Sequence, residues 1–337
     1  MGQTQGRSMK PSLAARLAAL AGGLILLAGC QNQGQAGGPG PSSDSRVALL
    51  EASGITVRAE GKVAIVGGDE TRARLWAVSL DNLSKRWELP YPPGAQPLDD
   101  IEALAPWGKN DLFVCCSQSR TKPHSRVKPE RNRLALVTLS PDAREVTSVR
   151  IYDGLRDHLL SYLGARAADL VENTEAIAGG SPATGGLNVE GIALWQDQLL
   201  VGLRSPVAKG GAIVIPIKNP ARLFEAALSR NAPEFGKIMI LPTGPGEGIR
   251  DMCTTEGAVL MILGSSGEVY KTKPRIVRWD PAKNTLTPLR VPGFKHIAKP
   301  EGIAVDPQGR LLIVQDQLPP LPQVLFRLEV RQEGGEE

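Results

Sequence analysis

Aromatic side chains make up only 4% of this 337-residue chain, and histidine occurs three times. So few rings argue against a stacking platform for carbohydrate or single-stranded nucleic acid. His124, His158 and His296 stand far apart in different settings and read as surface residues rather than ligands. Cysteine is scarce as well. Of four, Cys30 ends an apolar leader, which leaves Cys115, Cys116 and Cys253. Three thiols cannot pair completely, and their spacing fits no zinc site. Neighbours on a strand point to opposite faces, so Cys115 and Cys116 should not bridge each other. Buried thiols are expected, with a bridge from either to Cys253 as the less favoured alternative. There is no Gly-x-Ser-x-Gly nucleophile elbow. The run Gly244-Pro245-Gly246-Glu247-Gly248 leads into a strand pattern and not a helix, so it is no phosphate loop. An excess of one charge is also missing. The chain has 39 Lys and Arg against 35 Asp and Glu. Arg7, Lys10 and Arg16 fall in the leader, which carries no acid, so 36 basic residues face 35 acidic ones in the remainder. No basic field is left to attract a nucleic acid. The locally basic stretch from Arg120 to Arg133 reads as a solvated loop.

The first 29 residues read as a secretory signal peptide. A basic start is followed by the apolar run Leu17–Ala28, shorter than the ~20 residues of a membrane span. The tetrad Leu27-Ala28-Gly29-Cys30 resembles the bacterial lipobox. That resemblance implies a diacylglyceryl group on Cys30, cleavage before it, and a lipoprotein anchored in the periplasm, the outer membrane or at the cell surface. Residues 30–45 are rich in Gly, Pro, Ser and Gln and are expected to form a disordered tether. The folded domain is expected over 46–331, with a disordered tail at 332–337.

What the chain has in abundance is repetition. Asp100-Ile-Glu-Ala-Leu-Ala, Asn188-Val-Glu-Gly-Ile-Ala and Lys299-Pro-Glu-Gly-Ile-Ala are copies of one phrase. Ser53-Gly54-Ile55-Thr56-Val57 is a weaker copy and Ile249-Arg250-Asp251-Met252-Cys253 a variant. Each copy is followed by a polar turn, an apolar strand and further short strands, in units of ~50 residues, the size of a propeller blade. An all-β propeller with five visible blades is expected. The interval 153–187 has room for a sixth but reads instead as an inserted helix over Asp157–Ala168, with leucines at helical spacing, and a loop. The spacing also predicts a fourth strand of the third unit at Gly236–Leu241 and a helix over Pro220–Leu228 capped by Asn219. The fifth unit lacks a fourth strand, and Arg46–Glu51 is the expected donor that closes the ring.

The first strand of a blade lines the central channel. The repeated motif glutamates, Glu102, Glu190 and Glu301, should therefore meet at one channel mouth. Asp100, Asp251 and Asp316 add carboxylates, and Arg204 and Arg250 add guanidiniums. Asp69 and Ser117 sit at other second-strand ends. Arg250 stands at the motif glutamate's own position, unless Glu247-Gly248-Ile249 is the true counterpart. Glu102, Glu190 and Glu301 could hold Ca²⁺ through hard oxygen ligands, or two of them could act as general acid and base. With the arginines, the same residues suit a pocket for a polar or anionic small molecule, or an ion-paired channel that only closes the ring. The Gly of Glu-Gly is equally explained as a demand of the strand itself.

The order of these phrases resembles a known bacterial family, domain of unknown function 3616. The resemblance is carried by Asp100-Ile-Glu-Ala-Leu, Ser117-Gln-Ser-Arg120 with Pro129-Glu-Arg131-Asn-Arg-Leu134, Asn188-Val-Glu-Gly-Ile, Gly202-Leu-Arg-Ser-Pro206, Gly248-Ile-Arg-Asp251 and Pro300-Glu-Gly-Ile303. It spans roughly Ala52 to Asp316. Gln118 stands where the family pattern has His, and Ala103 where it has Gly. The family is in turn distantly similar to calcium-dependent propeller hydrolases, the gluconolactonase-type lactonases and the esterase-like region of phytases. The resemblance implies a propeller with a site at the channel mouth and leaves the reaction open. Three functions are expected from different classes: an exported module binding a polar small molecule or metal, a Ca²⁺-dependent hydrolase of a lactone or phosphoester, and a structural scaffold of the cell envelope. A membrane partner is expected through Cys30, and no nucleic acid.

Overall fold

A computed structural model describes residues 51–329, apart from 59, 69–71, 122–125, 167–179, 181–185, 226–231, 268–270 and 317–324. The expected signal peptide, Cys30, the tether, residues 46–50 of the expected closing strand, Asp69, His124 and the 332–337 tail lie outside the described residues.

The described chain is a five-bladed β-propeller. Blade one is β1 (Ala52–Arg58), β2 (Val63–Gly68), β3 (Leu75–Ser79) and β4 (Arg86–Glu88). Blade two is β5 (Ile101–Trp107), β6 (Asp111–Cys116), β7 (Leu134–Leu139) and β8 (Val146–Tyr152). Blade three is β9 (Asn188–Trp195), β10 (Gln198–Ser205) and β11 (Ala212–Lys218), with β12 (Glu234–Phe235) and β13 (Met239–Leu241) sharing its outer edge. Blade four is β14 (Glu247–Thr255), β15 (Ala258–Ser265), β16 (Arg275–Asp280) and β17 (Thr285–Pro288); blade five is β18 (Pro300–Val305), β19 (Leu311–Gln315) and β20 (Leu325–Leu328). Each blade is an antiparallel meander in chain order. Neighbouring inner strands lie side by side all the way round, including β18 against β1.

The apolar runs are explained by where the cores sit. Five buried clusters lie one at each seam between consecutive blades. A middle strand therefore buries both faces and has no polar side to alternate with. In β10, Leu199, Val201 and Leu203 face blade two while Leu200 faces blade four. In β6, Phe113 and Cys115 face blade three while Leu112, Val114 and Cys116 face blade one. The two cysteines thus point apart, and all three described cysteines are free thiols. Burial pushes the Cys115 thiol up to about 12, which makes it a packing group rather than a nucleophile.

Polar ties cross the seams as well. Ile303 N–H donates to Asp251 Oδ2 at 2.8 Å between blades four and five. Val189 N–H donates to the Ser117 carbonyl at 2.8 Å between blades two and three. Arg327 donates to the Leu80 carbonyl at 2.5 Å between blades five and one.

Three local expectations are adjusted. The inserted helix α1 runs over Leu155–Arg166, two residues earlier than its leucine pattern suggests, and buries Leu155, Leu159 and Leu163. Pro220–Phe224 is a single 3₁₀ turn, and Asn219 does not cap it: its φ of 46° is left-handed and its side chain makes no cap bond. An N-cap needs an extended backbone. The expected strand at Gly236–Leu241 is broken, because it meets β11 at Pro216, which has no N–H to donate. Gly236 N–H donates to the Pro216 carbonyl instead, and pairing resumes only at Met239.

Candidate functional site

One irregularity repeats in every blade. Pairing of the inner strand with its neighbour slips at Ser53-Gly54, at Glu102, at Glu190, at Arg250 and at Glu301. These are the five copies of one motif position, and the slip is a β-bulge in each. A bulge adds an unpaired residue and re-aims its side chain. The register settles that Arg250 occupies the glutamate position, since Asp251 pairs with Ile262 as Gly302 pairs with Val314. Except at Asp251, the residue after the bulge is Gly or Ala, because the next blade's inner strand comes close. A Cβ on Gly302 would lie 2.2 Å from the Ser53 carbonyl oxygen, and one on Gly54 2.8 Å from Ala103 Cα.

The bulge side chains open into a cavity of about 580 Å³ at one end of the channel. Ser53, Glu102, Glu190, Arg250 and Glu301 line it from the bulges; Asp100, Asn188 and Lys299 line it from two positions earlier in three of the same phrases. Arg204 and Asp316 come from second-strand ends, and Ser119, Arg120 and Arg131 from the loop after β6. Of the residues expected from sequence, Asp100, Glu102, Glu190, Arg204, Arg250, Glu301 and Asp316 are brought together here. Asp251 is not: it is fully buried behind the lining, on the Ile303 N–H.

Ser53, Ser119, Arg120, Arg131, Asn188 and Lys299 were not singled out by sequence. Ser53 and Asn188 were legible as motif positions held by other residue types. Arg120 and Arg131 correct the reading of the basic stretch as a solvated loop. The acids that bind it, Asp99 and Asp100, are the two residues immediately before β5. Arg131 bonds Asp99 at 2.9 Å and Asp100 at 2.8 Å, and Lys128 bonds Asp99 at 3.0 Å.

Glu190 and Glu301 each share a cation. Arg204 Nη1 donates to Glu190 Oε1 at 2.5 Å, and Asn188 Nδ2 donates to the same oxygen at 2.8 Å. Arg250 holds Glu301 with two parallel bonds, Nε to Oε2 at 2.8 Å and Nη2 to Oε1. Its Nε also lies 3.9 Å from Glu190 Oε2, so one guanidinium links the two glutamates. Ser53 Oγ donates to Glu102 Oε2 at 2.6 Å, and Lys299 pairs with Asp316 at 2.8 Å. Burial works to lower the Arg250 pKa, but the carboxylates of Glu190 and Glu301 outweigh it and hold the group charged, above its usual range. Burial, helped by Glu190 and opposed by Arg250, pushes the Glu301 carboxyl up to about 7. Burial likewise raises Asp100, against the pull of Arg131.

This donor set does not suit the Ca²⁺ considered from sequence. Among the described residues no group of three or more His, Cys, Asp or Glu is placed to hold a metal ion. Glu190 and Glu301 are separated by Arg250, and a guanidinium there repels a second cation. Two backbone positions beside the cavity are strained. Asp100 and Gln118 are non-glycine residues at φ 62° and 57°, which costs energy and is concentrated at working sites. Gln118, the residue that replaces the family's histidine, does not reach the cavity. Its amide donates to the Cys116 and Arg133 carbonyls at 2.9 and 3.0 Å, behind the wall that Ser119 and Arg120 form.

Blades, closed ring and mouth cavity define a small β-propeller with a built pocket at one end of its channel. Within that class the chain belongs to the family described as "Protein of unknown function (DUF3616)", whose model matches residues 100–316. No curated protein matches the chain in sequence. Among solved structures, the glutaminyl cyclase of Myxococcus xanthus is 13% identical with a TM-score of 0.44, covering 83% of this chain and 90% of that one. A gluconolactonase of Xanthomonas campestris is 12% identical with a TM-score of 0.42, covering 83% and 72%. A streptogramin B lyase is 10% identical with a TM-score of 0.37, covering 83% and 94%.

Proposed function

We propose that this protein is an exported lipoprotein whose propeller binds a polar small molecule at the channel mouth. The observation that carries the binding site is the convergence of all five bulge residues on one cavity of about 580 Å³. That is within the usual range for ligand pockets. The metal-dependent hydrolase is not carried forward, because its carboxylate cage is interrupted by Arg250. Export rests on the leader and on the tetrad ending at Cys30.

A thermal-shift screen of polar metabolites tests the binding reading. Some compounds should raise the melting temperature of the wild type and leave the Glu190→Gln variant unmoved, while that variant keeps its fold. Removing the Glu190 charge leaves Arg204 its bond to the Ser265 carbonyl at 3.1 Å. The expected cost is therefore about 1–3 kcal/mol, below the ~3–5 kcal/mol of a fully buried broken pair. An unfolded Glu190→Gln protein together with an empty screen would make the channel a structural scaffold.

A further inference from the structure

We infer, resting on that reading of the mouth, that its ligand is an uncharged polyhydroxylated molecule, recognised through Glu190 and Asn188. The fixed charges of the cavity are compensated within the protein. Glu190 and Glu301 are matched by Arg204 and Arg250, Asp99 and Asp100 by Lys128 and Arg131, and Asp316 by Lys299. The remaining charges of the lining, Glu102 and Arg120, are of opposite sign. An ionic ligand at the centre has to break the Arg204–Glu190 or Arg250–Glu301 pair and strand a largely buried carboxylate or its guanidinium. A neutral ligand leaves every pair in place.

Two acceptors in the lining point to the same chemistry. Among the described residues Glu190 Oε2 and Asn188 Oδ1 have no hydrogen-bond partner, and the two residues are 2% and 3% exposed. The nearest cation to Glu190 Oε2, Arg250 Nε, is 3.9 Å away, too far for a hydrogen bond. Buried acceptors in folded proteins are almost always met by a donor. Both residues line the cavity from β9, two positions apart. The donor they await must be slender, because the two oxygens have almost no accessible surface. It must also add no charge beside Arg204 and Arg250. A hydroxyl meets both demands, and an ammonium group fails the second. Arg204 and Lys299, more exposed than the acids they hold, are placed to donate to the other hydroxyl oxygens. Among the described residues no aromatic ring lines the cavity, and the polar groups that do line it recognise a ligand through hydrogen bonds.

Calorimetric titration of the full chain tests this with three sets of probes: glucitol, glucose and myo-inositol; glycine; succinate and inorganic phosphate. At least one of the uncharged polyols should bind. Asn188→Ala should weaken that binding at least about tenfold with little change in melting temperature. Binding of glycine, succinate or phosphate that is lost in Glu190→Gln, with no polyol bound, overturns the ligand class and leaves the mouth as the site. Polyol binding that Asn188→Ala does not weaken overturns the recognition proposed here. Binding by none of the probes overturns the ligand class, and only an empty metabolite screen as well removes the site. Should Asn188→Ala not fold, the ranking of the probes on the wild type decides.

Discussion

At the scale of single residues, the site holds a buried carboxyl, Glu301, whose protonation is set by burial against the pull of two arginines, Arg250 and Arg204. Glu301 titrates at about 7 in the fold, against 4.5 for the free side chain. The folded protein therefore keeps a proton that the unfolded chain has released between those values. The stability this group contributes is full below pH 4.5 and is lost as the pH rises through about 7. Glu301→Gln does not titrate, so its melting temperature should fall less over that interval than the wild type's; parallel curves would contradict the assignment. Asp251 has the same sign. Burial raises its pKa well above the ordinary carboxylate range, and its Oδ2 only accepts the Ile303 N–H. Asp251→Asn keeps that acceptor without a group to ionise. It should melt like the wild type in acid and above it at alkaline pH. A variant that is destabilised equally at both would show that Asp251 works as a charge.

At the scale of elements, the bulge is the device that makes a site out of a repeat. It adds one residue to each inner strand and turns that residue into the channel, while the small residue after it lets the neighbouring blade approach. Gly302 shows how tight that approach is. A methyl group there meets the Ser53 carbonyl oxygen at 2.2 Å and Val314 Cγ2 at 2.6 Å. The backbone oxygen belongs to a strand that is itself paired, so it cannot swing aside. Gly302→Ala should cost about 1–3 kcal/mol by overpacking, measured by denaturant unfolding, and should loosen the seam between blades five and one. Unchanged stability would mean that this seam yields. The recurring glutamate was legible in the sequence as a feature, and so was its place at the channel mouth. The bulge was not, because pairing register depends on the partner strand and leaves no local signal. The same reason hid Arg131 and Lys128: their partners, Asp99 and Asp100, stand about 30 positions earlier, and only the pairing of β6 with its neighbours brings the two stretches together. Asp251 was misplaced for a simpler reason. It follows the bulge position, where the other blades have Gly or Ala, and its side chain is buried across the seam on the Ile303 N–H of blade five.

At the scale of the whole molecule, five sheets share five seams, and no blade buries its faces alone. Repetition of motif, turn and apolar run made five blades visible in the sequence and left room for a sixth, and the described chain has five. The broken edge at Pro216 and the αL turn at Asn219 were not readable, since both depend on what the segment packs against. Stability is therefore a property of the closed ring. The fifth blade has three described strands, and Arg46–Glu51 remains our candidate for the fourth. Deleting those six residues should expose the β20 edge, and aggregation or a large fall in melting temperature is the expected result. A truncated chain that melts like its parent would show that the ring closes otherwise. Cys30→Ser tests the anchor in the same molecule. The variant should leave the membrane fraction or fail to mature, since each buried CH₂ of a lipid chain contributes about 0.8 kcal/mol. Unchanged membrane association would contradict the lipoprotein reading. The account as a whole turns on whether the mouth receives a ligand, and the most direct measurement is a crystal structure of the protein soaked with the compound that stabilises it most in the screen. The compound should lie among Glu190, Asn188, Arg250 and Glu301, with the Arg250–Glu301 pair intact. Density elsewhere on the molecule, over a mouth closed by its own side chains, would contradict the account.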